Sequence, residues 1–137
     1  MEARRIANIA LWVVQSFTLL SAVGGGIGLI ATNGLGMPLS LLDASPFDSY
    51  LLPGLILLCV VGGTQALAVA THYLRSRWLP AAATVAGFGM VIWICVEVVI
   101  LPGYHWLHTL YFTTGSLQLA LVLVLLGVLP RARHAVA

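Results

Sequence analysis

Four long apolar stretches alternate with short polar intervals along the chain. Apolar side chains dominate the approximate ranges 6–30, 46–73, 79–101 and 105–129. Each stretch is longer than the ~20 residues that a helix needs to cross the hydrocarbon core of a bilayer. The pattern predicts an all-α integral membrane protein, and the four spans leave room for only one domain, a single transmembrane domain over residues 1–137.

Turn-forming residues mark the intervals between the spans. The longest interval, residues 31–45, contains Asn33-Gly34 and predicts one long loop. Ser45, which precedes a proline, is typical of a helix N-cap, and we expect Pro53 to bend the second helix because proline removes a backbone hydrogen bond. The other connections are short, so we predict an up-down-up-down four-helix bundle.

Arginine positions predict how the helices lie in the membrane. Basic residues near the ends of spans are retained in the cytoplasm. All six fall at the N-terminus, in the turn between the second and third spans, or at the C-terminus: Arg4, Arg5, Arg75, Arg77, Arg131 and Arg133. Four spans place these three regions on one side. We therefore predict a multi-pass protein of a cell membrane, such as a bacterial inner membrane, with both termini cytoplasmic and the long loop outside.

The first apolar stretch has a second interpretation. Arg4 and Arg5 before an apolar run are also how a secretory signal peptide begins. The run from Ile6 to Ile30 is longer than the ~7–15 residues of a signal-peptide core, which favours a membrane helix.

Composition excludes a soluble globular domain. Charged residues make up 7% of the chain and hydrophobic residues 61%, whereas soluble domains carry roughly 25% charged residues. The net charge of +2 and the lack of a basic cluster argue against nucleic acid and leave the lipid bilayer as the expected partner. Cys59 and Cys95 fall inside apolar spans, which predicts free thiols rather than a disulfide.

Small residues four positions apart recur in the first three spans and allow helix backbones to approach closely. They are Gly24 and Gly28, then Gly62, Ala66 and Ala70, then Ala82 with Ala86 and Ala83 with Gly87. Two interpretations stay open. The rows are contacts within one bundle, or they form faces for a homo-oligomer or for another membrane protein.

Three glutamines lie near the middle of their spans: Gln15, Gln65 and Gln118. An unsatisfied amide in the bilayer core is costly, so we expect these side chains to face inward and to find partners. They form a network that sets the register of the helices, or they line a polar path or a ligand cavity.

Glu97 is a carboxylate enclosed by apolar sequence, four residues before the predicted end of the third span, or about 6 Å along the helix. An ionisable residue inside a span is a candidate functional residue. The fourth span brings polar and aromatic residues to a similar depth. We predict an outer ligand-binding pocket formed by Glu97, His108, His105, Tyr111, Thr114 and Trp93.

Three interpretations of this pocket stay open. A hydrogen bond from Glu97 to Tyr111, Thr114 or His108 ties the third helix to the fourth. Alternatively, the cluster binds a lipid headgroup or a small polar or cationic molecule, or relays a proton between Glu97 and His108. In the third interpretation, Glu97, His105 and His108 hold a metal ion such as zinc or copper.

The motifs of soluble enzymes are absent from the sequence. It contains no Gly-x-Ser-x-Gly elbow, no His-Glu-x-x-His zinc motif, no phosphate-binding loop and no Cys-x-x-Cys. The sequence therefore identifies no catalytic residue and leaves any cofactor unknown, and we predict a non-enzymatic subunit or binding module whose polar pocket lies near the outer leaflet. The alternatives are a small oligomeric transporter or channel that uses Glu97 and the glutamines, and an intramembrane metal-dependent enzyme.

Three stretches of the chain carry a resemblance to known proteins. They are residues 45–55, 93–97 and 106–112. Through them the second to fourth spans resemble small four-span bacterial membrane proteins of no assigned function. The resemblance implies four spans and implies no activity.

Overall fold

The computed structural model describes residues 1–128, which contain four long helices and no strand. The helices are α1 (Glu2–Thr32), α2 (Leu51–Tyr73), α3 (Leu79–Ile100) and α4 (Trp106–Leu126). All four are long and apolar enough to cross a membrane. The prediction of an all-α chain with four such helices is therefore confirmed. The predicted end of the last span at residue 129, together with Arg131, Arg133 and the C-terminus, lies outside the described residues.

The helices pack in a ring in which each one contacts the next, and α4 returns to contact α1. Neighbouring helices run antiparallel, so the bundle has two ends. The long-loop end carries Thr32, Leu51, Ile100 and Trp106. The arginine end carries the start of α1, the α2–α3 turn and the end of α4, and Arg4 there donates a hydrogen bond of 2.7 Å to the Leu125 carbonyl.

Glycine allows two pairs of helices to approach closely. A Cβ on Gly26 of α1 would lie 3.0 Å from the Gly54 carbonyl oxygen of α2. A Cβ on Gly115 of α4 would lie 3.2 Å from the Gly87 carbonyl oxygen of α3. These contacts join α1 to α2 and α3 to α4 with almost no side-chain volume between the backbones.

The predicted small-residue rows divide between the inside and the outside of the bundle. Buried members are Gly62, Ala82, Ala83, Ala86 and Gly87. Exposed members are Gly24, Ala66 and Ala70. The buried residues are contacts within one bundle, as the first interpretation requires. The exposed residues leave a surface on which another chain can pack, as the second interpretation requires.

The second helix begins later than its sequence signals indicate. Ser45 is the predicted N-cap of a span that starts at residue 46, but α2 begins at Leu51. The Ser45 hydroxyl instead donates to the Leu42 carbonyl and accepts from the Phe47 amide, so it stabilises the end of the 3₁₀ turn Leu39–Leu42 in the loop. The Ser45 side chain thus caps the 3₁₀ turn in the loop and not the start of α2.

Pro53 does not interrupt α2, and the lost hydrogen bond from which a bend was predicted is absent. It lies in the first turn, where backbone N–H groups have no partner within the helix, and it therefore removes no hydrogen bond. The irregular part of α2 is a π-helical turn at Leu57–Val61. Such turns arise where a helix accommodates an extra residue and are frequent near functional sites.

The long loop is folded onto the bundle by Tyr50, which is buried. Its backbone N–H donates to Asn33 Oδ1 at 3.1 Å, and its hydroxyl donates to the Pro38 carbonyl at 3.0 Å. Its ring covers Gly34, where φ is 124° and a Cβ would lie 2.6 Å from the ring. Glycine is required at this position by both the left-handed backbone and the contact.

Tyr50→Phe is expected to lower the free energy of unfolding by about 0.5–1.5 kcal/mol, because it removes one buried hydrogen bond and keeps the ring packing. Unfolding in mixed micelles of a mild detergent and SDS measures the change. Tyr73→Phe is the control, since Tyr73 is 80% exposed. Equal stabilities of the two variants would show that the Pro38 hydrogen bond contributes nothing.

Candidate functional site

A cavity of about 710 Å³ lies at the long-loop end, between α1, α3 and α4 and beneath the loop. Its volume is within the roughly 300–1,000 Å³ of small-molecule sites. Apolar side chains from all sides form most of its wall, among them Leu29, Leu35, Met37, Leu57, Met90 and Ile94. The ionisable and polar members of the wall are Ser21, Trp93, Glu97, Tyr104, His105, His108 and Tyr111.

Glu97 stands one turn before the end of α3, with 25% of its side chain exposed. His108 Nε2 of α4 lies 3.9 Å from Glu97 Oε2, which is too long for a hydrogen bond but close enough for an electrostatic contact. Trp93, one turn earlier in α3, lines the same cavity. The carboxylate therefore faces a largely apolar space with one imidazole opposite it.

His105 and His108 together cap the N-terminus of α4. His105 Nδ1 accepts the Leu107 backbone N–H at 3.3 Å, and His108 Nδ1 accepts the His105 backbone N–H at 3.1 Å. A nitrogen that accepts a hydrogen bond carries no proton, so the His108 ring in this cap is neutral and keeps its hydrogen on Nε2. His108 thus presents one N–H toward Glu97 and no positive charge. Histidine is not a usual capping residue, and this role was not among the predictions.

The predicted metal site is not assembled in the described part of the chain. Within residues 1–128, no three His, Cys, Asp or Glu side chains are grouped so that they could hold a metal ion. The physical reason lies in the histidines, because both Nδ1 atoms already accept backbone hydrogen bonds at the start of α4. The interpretation of Glu97, His105 and His108 as three ligands of one metal therefore gains no support from residues 1–128.

The other predicted pocket residues separate into two groups. Trp93 and Tyr111 line the cavity, and the Tyr111 ring also stacks on Phe17 with 6.2 Å between centroids. Thr114 does not line the cavity, and its hydroxyl donates to the Tyr111 carbonyl of its own helix. The structure brings together five of the six predicted residues and leaves Thr114 apart, so Thr114 does not tie α4 to Glu97.

The three glutamines are fully buried, with 0% exposure. Gln65 Nε2 donates to Gln118 Oε1 at 3.1 Å and to the Ala86 carbonyl at 3.3 Å. Gln118 Nε2 donates to the Ala83 carbonyl at 3.0 Å. These hydrogen bonds join α2, α3 and α4 in the middle of the bundle.

Gln15 belongs to a separate pair. Its Oε1 accepts from His72 Nδ1 at 3.2 Å, which joins α1 to α2 toward the arginine end. His72 is buried near the end of α2. A buried histidine is stable here because the glutamine accepts its hydrogen bond.

An apolar cluster separates the glutamines from the cavity. It consists of Ala22, Val61, Met90 and Ile94, with Trp93 and Tyr111 packed on its cavity side. In α1 and α2, Ala22 and Val61 lie between the buried glutamines and the long-loop end. A polar path through one bundle from Glu97 to the glutamines is interrupted by this cluster.

No family model, no curated protein and no solved structure matches this chain. The resemblance to small four-span bacterial membrane proteins therefore stays a prediction, and the function is argued from the geometry of the cavity.

Proposed function

We propose that this chain is a small multi-pass membrane protein whose cavity binds a small amphipathic molecule without transforming it. In the proposed orientation, the long-loop end is outside and both termini are cytoplasmic. Four helices of spanning length support this arrangement, and so do Arg4, Arg5, Arg75 and Arg77, the arginines among the described residues, which lie at one end of the bundle. The cavity then opens near the outer leaflet.

The observation that carries the proposal is the Glu97 carboxylate in a mainly apolar cavity with no cation beside it. A charge removed from water is costly unless it is paired and hydrogen-bonded. Its neighbour His108 is neutral, because Nδ1 accepts a backbone hydrogen bond. A bound molecule with hydrogen-bond donors would supply a closer and cationic partner than His108 Nε2 at 3.9 Å, and ionisable residues within membrane spans usually mark such sites.

The wall of the cavity supports an apolar body for the same molecule. Leu29, Leu57 and Ile94 lie on different sides of the space, and the loop residues Leu35 and Met37 cover it. Burial of hydrocarbon on such a wall contributes roughly 25 cal/mol per Å² of apolar surface. A molecule with a hydrogen-bond-donating head group and a hydrocarbon body fits both Glu97 and the apolar wall.

Glu97→Gln is expected to remove a copurifying small molecule that the unchanged protein retains. Loss of a charged hydrogen bond costs about 1.5–3 kcal/mol, so occupancy should fall at least about tenfold. Native mass spectrometry of the gently purified protein reports the bound mass and the number of chains together. The same spectra test self-association through the exposed small residues of α2.

Glu2→Gln is the matched control, because it changes the net charge equally at an exposed position outside the cavity. The control should retain the bound mass. Spectra that are identical and free of ligand for the unchanged protein and both variants would contradict the proposed function.

A further inference from the structure

A second cavity, of about 330 Å³, lies between α2 and α3. Helix α2 contacts α3 from the π-helical turn onward, whereas its first segment, Leu51–Ile56, makes at most marginal contact with α3. The resulting crevice is lined by Pro53, Ile56 and Val60 on one side and by Ile92, Val96 and Ile100 on the other. Its wall is almost entirely apolar.

The two cavities meet at Glu97. Both are lined by Leu29, Met37, Trp93, Glu97 and Leu101. Glu97 therefore borders both the crevice and the larger cavity. A molecule in the crevice can reach the same carboxylate as a molecule in the cavity.

The crevice opens at the surface of the bundle. Residues on its rim are strongly exposed, with 60% of Ile92, 53% of Val60 and 41% of Val96 accessible. In a bilayer, apolar side chains at this position on the helix surface face acyl chains. The route to Glu97 that avoids water therefore runs through the membrane, between α2 and α3.

The charge balance of the chain selects the head group. The sequence has no lysine, and no arginine occurs between Arg77 and Arg131. Helices α3 and α4 thus supply no lysine or arginine to Glu97, and His108 is neutral. A positive charge with several N–H donors is the strongest partner for a carboxylate in apolar surroundings. A fatty acid or a phosphate would add a second negative charge.

We infer that the ligand is a single-chain lipophilic amine that enters from the bilayer, with its ammonium group at Glu97 and its hydrocarbon chain in the crevice between α2 and α3. The inference rests on the proposed function of the cavity and names its ligand class and entry route. Gly89 lines the crevice, and a Cβ there would meet only Thr64 Oγ1, at 3.6 Å. A larger side chain at this position has room to occupy the crevice itself.

The test uses the full chain in phosphatidylcholine nanodiscs with Trp93 as the single tryptophan. Phenylalanine replaces the other three, Trp12, Trp78 and Trp106. Dodecylamine is titrated while Trp93 emission is recorded, with dodecanol and dodecanoate as probes of equal chain length. Saturable binding is expected for dodecylamine, weaker by at least about tenfold for dodecanol and undetectable for dodecanoate, because only the amine supplies a charged donor.

Variants separate the head site from the crevice. Glu97→Gln should weaken dodecylamine binding at least about tenfold, as expected for loss of a charged hydrogen bond. Gly89→Leu and, independently, Val96→Phe should weaken it several-fold by filling the crevice. Gly24→Leu is the control, because a Cβ at Gly24 meets no atom within 4 Å. Circular dichroism confirms that each variant keeps its helices.

The outcomes distinguish this inference from the proposed function. Binding that depends on Glu97 but is unchanged in both crevice variants overturns the entry route and leaves the cavity function standing. Loss of a copurified ligand in Glu97→Gln, without any dodecylamine binding, overturns the amine class alone. If neither a native ligand nor dodecylamine depends on Glu97, both proposals fail.

Discussion

Gly26→Ala is expected to lower the free energy of unfolding by about 1–3 kcal/mol, the usual cost of forcing extra atoms into a packed contact. A Cβ at this position would lie 2.7 Å from Leu58 Cβ, 2.9 Å from the Leu58 backbone nitrogen and 3.0 Å from the Gly54 carbonyl oxygen. Two of these atoms belong to the backbone and cannot turn aside as a side chain can. Helices α1 and α2 would have to separate next to the cavity.

Gly24→Ala is the matched control on the same helix. A Cβ at Gly24 meets nothing within 4 Å, and alanine favours a helix over glycine by about 1 kcal/mol, so this variant should be neutral or more stable. Unfolding in mixed micelles of a mild detergent and SDS, followed by circular dichroism, measures both. If the two variants are equally stable, the α1 and α2 backbones do not approach at Gly26.

Gln118→Leu is expected to lower the free energy of unfolding by about 1–3 kcal/mol, because it removes the acceptor of a buried amide. Gln118 Oε1 accepts from Gln65 Nε2 at 3.1 Å, and without it Gln65 retains only the longer contact of 3.3 Å to the Ala86 carbonyl. Leucine fills a similar volume, so the change reports lost hydrogen bonding rather than a cavity. The same mixed-micelle assay measures it.

A double-mutant cycle isolates the glutamine pair. Gln65→Leu combined with Gln118→Leu should cost less than the sum of the single changes, because replacing both partners leaves no unsatisfied amide. Gln15→Leu is the comparison, since Gln15 pairs with His72 instead. Its effect should add to that of Gln118→Leu within about 0.5 kcal/mol. Strict additivity for Gln65 and Gln118 would contradict their hydrogen bond.

The helices could be predicted because the length of an apolar run is a property of one segment alone. The ends of the helices were harder to predict, because a helix can extend into polar residues or begin after the first residues of an apolar run. Helix α1 begins at Glu2, before the apolar run that starts near residue 6, and α2 begins at Leu51, after the helix start that Ser45 indicated. The second shift is tertiary in origin, since Asn33 Oδ1 accepts the Tyr50 N–H just before α2.

The sequence predicted how far along the helices the site residues lie, but not which of them face the cavity. Counting residues from the span ends placed Tyr111 and Thr114 at about the depth of Glu97, with His108 earlier in the same helix, and the structure brings His108 Nε2 within 3.9 Å of Glu97 Oε2. Thr114, although predicted at that depth, does not line the cavity. Which face of α4 points inward depends on the contact between Gly87 and Gly115, and the pattern within a single span does not reveal it.

Three properties follow from the sequence alone: four helices of spanning length, arginines near the ends of spans, and Glu97 within an apolar segment. Each of these properties depends on the length and hydropathy of one segment or on the position of a residue within it, and neighbouring helices do not alter them. Only the tertiary structure decided that Gln65 pairs with Gln118, 53 positions away, and that Glu97 stands where two cavities meet. Both depend on how each helix is rotated about its axis, and that rotation is set by close packing between helices.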